Sequence, residues 1–231
     1  LVYDATPDVI ESWRDHAVAV NKKLAEKIGI NRSAAVTCVK PSGTVSQLVD
    51  SASGIHARHS AYYIRRVRGD KKDPITTLMS LANIPVEDDV MKPEATAVFS
   101  FPIKAPDKCI TRNDLSAIQQ LELWLKIQRH WCEHKPSITV TVRENEWVEV
   151  GAWVWKHFDE VSGISFLPHS DHTYRQAPYE ECDKDTYEKL LSSMPKSIDW
   201  KELGKFEQGD RTTGSQDLAC SAGVCEVVDL T

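Results

Sequence analysis

Two cysteines near the end of the chain have the spacing of a redox pair. Cys220 and Cys225 are separated by four small or flexible residues and follow a polar stretch with no apolar period. Two thiols on a mobile segment can enter a buried site, exchange disulfides there and then be reduced by an external protein thiol. The same spacing fits two unremarkable exposed thiols, or half of a zinc site, although no second close cysteine pair exists.

A second candidate site is the segment 41–46, Pro-Ser-Gly-Thr-Val-Ser. It follows an apolar run, residues 34–39, that predicts a buried strand, and it precedes a possible short helix. The start of a helix presents free backbone N–H groups and the positive end of the helix dipole, which bind phosphate oxygens. Gly43 would let the backbone approach a phosphate closely. An ordinary turn with a capped helix behind it explains the same residues.

His130, Glu133 and His134 fit the His-x-x-Glu-His pattern of some zinc metallopeptidases. On a helix, the two histidines would share a face and could both bind a metal, with Glu133 as the base. Pro136 follows at once, and a third ligand is not evident from spacing. The alternative is that these residues are polar positions at the end of an amphipathic helix.

A polar and aromatic cluster is formed by His56, Arg58, His59, Tyr62 and Tyr63. It fits a surface that contacts a cofactor, and equally a loop that enters a strand. The arginines that follow, at positions 65, 66 and 68, could attract an anionic ligand or form a solvated strand face.

The elements around these sites alternate between helices and strands, which favours an α/β layer or barrel with a mostly parallel sheet. The apolar patterns predict helices over 7–28, 75–82, 115–131, 147–158 and 185–194, and strands over 34–39, 62–67, 97–103, 138–142 and 164–167.

Composition limits the classes of partner. The net charge of −6 and the lack of a long Lys/Arg run argue against nucleic acid as a partner. No apolar stretch is long enough to span a membrane, and no signal peptide is visible. The 6 cysteines are too sparse for a secreted disulfide scaffold, so a reducing cytoplasm is expected, including that of a host cell if the gene is phage-borne. Because the chain opens at Leu1, we expect a piece of a longer protein.

Several motifs together resemble one enzyme family. Residues 36–48 are similar to the phosphate-loop segment of class II, adenosylcobalamin-dependent ribonucleotide reductases. Further resemblance lies in residues 53–60, 62–66, 149–154, 165–168, 176–180 and 213–216, so that it covers nearly the whole chain in one order. The subgroup that the chain resembles is the monomeric, triphosphate-reducing enzymes.

The resemblance implies a fold and a set of site residues. The fold would be the later, C-terminal part of a ten-stranded α/β barrel over residues 1–206, with a flexible redox-active tail over residues 207–231. Parts of the stretches 52–113 and 173–212 would face adenosylcobalamin. The implied substrate-phosphate residues are Ser42, Gly43, Thr44, Val45 and Ser46; the tail pair is Cys220 and Cys225; and the implied cofactor contacts are His56, Tyr62, Tyr174, Gln176 and Tyr179.

The resemblance also implies a reaction. Ribonucleoside triphosphates would be reduced to deoxyribonucleotides by a cysteine thiyl radical that adenosylcobalamin initiates, with thioredoxin as the reductant. The radical cysteine, its partner cysteines and the allosteric region of the family have no match in this chain. We therefore expect the chain to need the missing N-terminal part of the reductase and to be inactive alone. A non-catalytic phosphate-binding module is the remaining alternative.

Overall fold

The computed structural model describes residues 4–169 and 175–207. These residues form two compact units: residues 4–61 and 105–169 make unit 1, and residues 62–104 and 175–207 make unit 2. The helices are α1 (Pro7–Ile28), α2 (Val45–Leu48), α3 (Pro74–Leu81), α4 (Ala117–His130), α5 (Trp147–Lys156) and α6 (Lys184–Ser193), with short 3₁₀ turns at Glu144–Glu146 and Trp200–Lys205. The strands are β1 (Tyr62–Asp70), β2 (Val86–Asp88), β3 (Thr96–Lys104), β4 (Ser137–Val142), β5 (Gly163–Pro168) and β6 (Tyr179–Glu181).

Unit 1 is built around α4 and a parallel pair of strands. A capping box between Ser116 and Gln119 starts α4, because each side chain binds the backbone N–H of the other residue. Trp124, in the middle of α4, and Val140, on β4, are fully buried. β4 pairs only with β5 among the described strands. This core supports the candidate phosphate loop, residues 41–46, which also belongs to unit 1.

Unit 2 is an antiparallel sheet with strand order β2-β3-β1-β6. β1 and β3 pair along their whole lengths, with Tyr62 opposite Lys104 and Asp70 opposite Thr96. Phe99 on β3 packs with Ile84 in a small buried cluster. Short β6 pairs with the start of β1, which places Tyr179 opposite Arg65.

The expected mostly parallel sheet is wrong for the described strands, because four of the six lie in an antiparallel sheet and only β4 and β5 are parallel. The fold is mixed α/β, as predicted. The predicted strand over residues 34–39 is also wrong: this segment is not part of a sheet. Its backbone binds residues 131–137 instead, as in the bonds from Glu133 N–H to the Thr37 carbonyl (3.0 Å) and from Ser137 N–H to the Val39 carbonyl (3.1 Å).

Every predicted helix, and the strands predicted over 62–67, 97–103, 138–142 and 164–167, are confirmed with small shifts at their ends. β2 and β6, each three residues long, were not predicted. Across the described residues, no helix is both long and apolar enough to cross a membrane.

Candidate phosphate and cofactor sites

The candidate phosphate loop is closed on itself by two serines. The Ser42 hydroxyl accepts a hydrogen bond from the backbone N–H of Ser46 (3.0 Å), and the Ser46 hydroxyl donates to the Ser42 carbonyl (2.9 Å). Ser46 is buried, and Ser42 is half-buried. Both hydroxyls therefore shape the loop, and the Ser46 hydroxyl uses its donor inside it.

The outer surface of the loop has unused backbone donors. Thr44 and Val45 are exposed, and within the described part of the chain neither backbone N–H has a hydrogen-bond acceptor. Thr44 precedes α2, and its side chain makes no capping bond. A Cβ added to Gly43 would meet no heavy atom within 4 Å. The loop thus offers two neighbouring N–H groups, the Thr44 hydroxyl and open space, and groups of these kinds can bind phosphate oxygens.

The segment that leads into the loop is held by Glu133. The Glu133 carboxylate accepts hydrogen bonds from the backbone N–H groups of Val36 (2.8 Å) and Thr37 (3.2 Å). These hydrogen bonds, of which the one from Val36 has the largest effect, hold the pKa of Glu133 below its ordinary value. Sequence reasoning placed Glu133 in a metal site and missed this role, because the partner segment is almost a hundred residues away.

The basis of the zinc peptidase reading is wrong. Helix α4 ends at His130, so His130 and His134 do not lie on one helical face. His130 Nδ1 lies 2.8 Å from a Glu11 carboxylate oxygen. No group of three potential ligands that could hold a metal occurs among residues 4–169 and 175–207.

His56, a predicted cofactor contact, belongs to unit 1. Its Nε2 accepts a hydrogen bond from the backbone N–H of Thr139 on β4 (2.9 Å), and its Nδ1 lies 2.7 Å from the Ser53 carbonyl. Both ring nitrogens are therefore used inside the protein, which does not fit a ligand to cobalt or a hydrogen bond to the cofactor.

Gln176, a second predicted cofactor contact, is buried in unit 2. Its side-chain amide donates to the Asp88 carbonyl (2.7 Å) and accepts from the Val90 backbone N–H (2.9 Å). Its backbone is left-handed, with φ of 60°. A non-glycine residue in that conformation is kept there by its surroundings, so Gln176 fits a structural role at the end of β2.

Tyr62 and Tyr179, also in unit 2, are half-buried aromatic residues at one end of the sheet. The Tyr62 ring packs on Tyr187 at 5.1 Å, and the guanidinium of Arg65 lies over the Tyr179 ring at 4.4 Å. Of the predicted cofactor contacts that are described, these two are the tyrosines, and each ring packs on a neighbouring side chain. Tyr174, Cys220 and Cys225 lie outside the described residues.

Two of the three arginines of β1, Arg66 and Arg68, pair with carboxylates. Arg66 binds Glu180, and Arg68 Nε donates to Asp89 (2.7 Å). Burial alone would raise the pKa of Asp89, but the bonds from Arg68 and from two backbone N–H groups hold it below the ordinary value. These ion pairs do not fit the alternative that the arginines await an anionic ligand.

Comparisons with known proteins give one consistent result. An adenosylcobalamin-dependent ribonucleoside-triphosphate reductase of Euglena gracilis is 31% identical over 178 residues, which cover 76% of this chain and 24% of that protein. The enzyme of the same name from Lactobacillus leichmannii is 27% identical over 240 residues, covering 98% of this chain and 31% of that protein. The chain is a homologue of the adenosylcobalamin-dependent ribonucleoside-triphosphate reductases.

The solved structures agree with this homology. A crystal structure of a B12-dependent, class II ribonucleotide reductase matches the reductase homologue with a TM-score of 0.72 and 27% identity, over 86% of this chain and 28% of that one. No protein-family model matches the sequence. The chain spans about a quarter to a third of the length of these relatives. The resemblance seen in the motifs is therefore confirmed, whereas the ten-stranded barrel that it implied stays a prediction.

Proposed function

We propose that this chain is the C-terminal part of a ribonucleotide reductase that converts ribonucleoside triphosphates to deoxyribonucleoside triphosphates. The observation that carries the proposal is the homology to adenosylcobalamin-dependent ribonucleoside-triphosphate reductases, which extends over most of the chain in both sequence and structure.

The segment 41–46 would bind the substrate's phosphates. Its support is the pair of unpartnered N–H groups at Thr44 and Val45, next to the open face of Gly43. Several N–H groups that converge on one anion bind it without a charged side chain. Ser42 and Ser46 would act indirectly, by keeping the loop closed.

Adenosylcobalamin is the proposed cofactor, and when bound it would supply the radical that starts the reaction. In this chain, the half-buried rings of Tyr62 and Tyr179 fit an apolar contact with the cofactor. His56 and Gln176 do not fit, because their polar side-chain atoms already bind the protein. We assign no step of the reaction to these residues.

The upstream part of the reductase is the proposed partner of unit 1. Parallel sheets of only two strands are unusual, because such sheets are normally buried among further strands and helices. The outer edge of β4 is closed by side chains, since Gln120 Oε1 accepts from Thr141 N–H (3.2 Å) and His56 accepts from Thr139 N–H. The outer edge of β5 pairs with no strand among the described residues, so it is the edge on which another strand can add.

Cys220 and Cys225 would carry reducing equivalents from thioredoxin to a disulfide in the upstream part. The support is their spacing on a polar segment near the end of the sequence. Each turnover would oxidise two thiols in the active site to a disulfide. The tail thiols would reduce that disulfide by exchange and become a disulfide themselves, which thioredoxin would then reduce back to two thiols.

The test is to mix this chain with the upstream segment of such a reductase. The mixture would contain adenosylcobalamin, CTP or ATP, thioredoxin and thioredoxin reductase, and deoxynucleotide would be measured. Product in the mixture, and none from either piece alone, is the expected result. Nucleotide binding without product, with both pieces shown to be folded, would overturn the enzyme assignment in favour of a phosphate-binding module.

The tail is tested in the same mixture. Cys220→Ser and Cys225→Ser should abolish multiple turnovers with thioredoxin and spare the reaction driven by a small dithiol, which reaches the active site directly. Cys109→Ser, outside the tail, is the matched control and should leave the reaction with either reductant unchanged. Equal loss of turnover with both reductants would contradict the proposal that the tail cysteines carry reducing equivalents from thioredoxin.

A further inference from the structure

The phosphate loop rests on a tight turn formed by Ser53, Gly54, Ile55 and His56, which we call the buttress turn. The Ser53 hydroxyl accepts a hydrogen bond from the backbone N–H of Ser42 (2.7 Å). Ile55 is buried and belongs to the main core of unit 1. The buttress turn therefore connects the core directly to the first residue that shapes the loop.

His56 anchors the buttress turn to β4. Because a backbone N–H can only donate, Nε2 must be the acceptor in the 2.9 Å bond from Thr139. Nε2 therefore carries no proton in this arrangement, and in the neutral ring the proton lies on Nδ1. Nδ1–H then donates to the Ser53 carbonyl at 2.7 Å, the same carbonyl that accepts the backbone N–H of His56 at 3.1 Å.

These bonds form one continuous series from the core to the loop. Thr139 on β4 donates to His56, His56 donates to Ser53, and the Ser53 hydroxyl accepts from Ser42. Ser42 in turn holds Ser46 through the two bonds that close the loop. The unpartnered N–H groups of Thr44 and Val45 lie between those two serines in sequence.

We propose that His56 is a positioning residue, which fixes the phosphate-binding N–H groups by linking the loop, through Ser53, to β4. This inference rests on the proposed phosphate-binding function of the loop. It assigns His56 a role in substrate binding without contact with either substrate or cofactor.

The loop needs such support because it has little of its own. Helix α2 is only four residues long, and Val45, Leu48 and Val49 are exposed, so the helix contributes few buried contacts. Histidine suits the position because its rigid ring accepts at one end and donates at the other. Neither an asparagine nor a glutamine side chain reaches both partners, so each amide can replace only one of the two hydrogen bonds.

The proposal predicts that both hydrogen bonds of the histidine matter. The substitution His56→Asn places an amide N–H near the position of Nδ1 and keeps the bond to Ser53, whereas His56→Gln keeps only an acceptor near Nε2. In the full chain, CTP binding measured by equilibrium dialysis should weaken about tenfold or more in His56→Ala, which loses both bonds, since one hydrogen bond of ordinary strength corresponds to a factor of up to about ten. We expect His56→Asn and His56→Gln, each of which breaks the link at one end, to bind CTP more weakly than the unmodified chain. His134→Ala, which removes an exposed histidine in the same unit, is the matched control and should bind as the unmodified chain does.

Two further measurements separate this proposal from the proposed function. Nitrogen NMR of the imidazole should show the Nδ1–H form of His56, and hydrogen exchange of the Ser42 and Ser46 amides should accelerate in His56→Ala but not in His134→Ala. If the unmodified chain binds no CTP, the phosphate function fails, while the exchange rates still decide whether His56 positions the loop. An Nε2–H ring, unchanged loop exchange in His56→Ala, or CTP binding by His56→Asn and His56→Gln as tight as that of the unmodified chain would each overturn the proposal.

Discussion

The α-carbon of Gly54 faces the carbonyl oxygen of Lys40 so closely that a Cβ at Gly54 would lie 2.9 Å from that oxygen. A side-chain carbon of Val39 would lie only 3.2 Å away. Gly54 also has a left-handed backbone, with φ of 59°. The buttress turn therefore touches the backbone just before the phosphate loop, and only glycine allows the contact without strain.

The first prediction is that Gly54→Ala destabilises the protein. The methyl group meets a backbone oxygen that cannot move without shifting the loop, and the left-handed conformation adds its own cost. We expect the free energy of unfolding to fall by about 1–3 kcal/mol. Denaturation by guanidinium, followed by tryptophan fluorescence, measures the change.

Gly151→Ala is the matched control for this substitution. Gly151 lies within α5, and a Cβ there would meet no heavy atom within 4 Å. Alanine in place of glycine inside a helix should raise the free energy of unfolding by about 0.5–1 kcal/mol. The same unfolding midpoint for both variants would contradict the close contact at Gly54.

Local signals in the sequence were enough to predict the five longer helices and four of the six described strands. Pro7 and Gly29 mark the ends of α1 where the structure has them, because proline suits a first helical turn and glycine a left-handed cap. The apolar spacing of α4 likewise indicated the face that carries Leu121 and Leu125 into the core. These features depend on neighbours within a few residues, which a sequence shows directly.

Contacts between distant segments could not be predicted in this way. The pattern around Glu133 suggested a metal site, whereas its carboxylate binds the backbone of Val36 and Thr37. The cluster around His56 suggested a cofactor surface, but its partner Thr139 is 83 positions away. Polar residue types show that a partner is needed, and only the fold shows whether the partner is a ligand or the chain itself.

The second prediction concerns the ion pair between Arg129 on α4 and Glu160. Arg129 Nε and Nη2 bind the two carboxylate oxygens at 2.7 and 2.5 Å. Arg129, and then His157, lower the pKa of Glu160 to about 2 from its ordinary value of 4.5. Because the folded-state pKa is the lower one, the stabilisation should be complete above about pH 4.5 and lost as the pH falls towards 2.

Urea denaturation of the unmodified chain and of Glu160→Gln, at several pH values, tests this pH dependence. The side chains of Arg129 and Glu160 are 47% and 36% exposed, so we expect solvent to limit the difference in free energy of unfolding at pH 7 to about 1 kcal/mol or less. The difference should shrink towards zero near pH 2. A double-mutant cycle with Arg129→Gln isolates the pair, and a difference that does not change with pH would contradict the assignment.

The third prediction concerns the reactivity of Cys132. Burial, and then the neighbouring Cys38 thiol, raise the pKa of Cys132 to about 11 from 9.0. Since the thiolate is the reactive form, alkylation of Cys132 by iodoacetamide at pH 8 should be about 100-fold slower in the folded chain than in guanidinium. Mass spectrometry of the peptide that contains Cys132 gives both rates. Equal rates in the two states would show that the thiol is neither buried nor near Cys38.

The fourth prediction separates binding from stability in the phosphate loop. A methyl group at Gly43 would meet no heavy atom within 4 Å, so Gly43→Ala should change the free energy of unfolding by less than about 0.5 kcal/mol. The same methyl would stand on the open side of the loop, where the proposed function has a phosphate approach the N–H groups of Thr44 and Val45. We therefore expect CTP binding to weaken about tenfold or more, because the anion loses close contact with the backbone.

Equilibrium dialysis with CTP, beside guanidinium denaturation of the same samples, measures both quantities. Gly204→Ala is the matched control, because Gly204 is equally open but lies in the 3₁₀ turn Trp200–Lys205 of unit 2. That variant should keep both its stability and its CTP affinity. If Gly43→Ala binds CTP as tightly as Gly204→Ala does, the phosphates do not approach the loop at this face. If Gly43→Ala unfolds more easily, a loss of binding reflects the fold of the loop rather than its contact with the substrate.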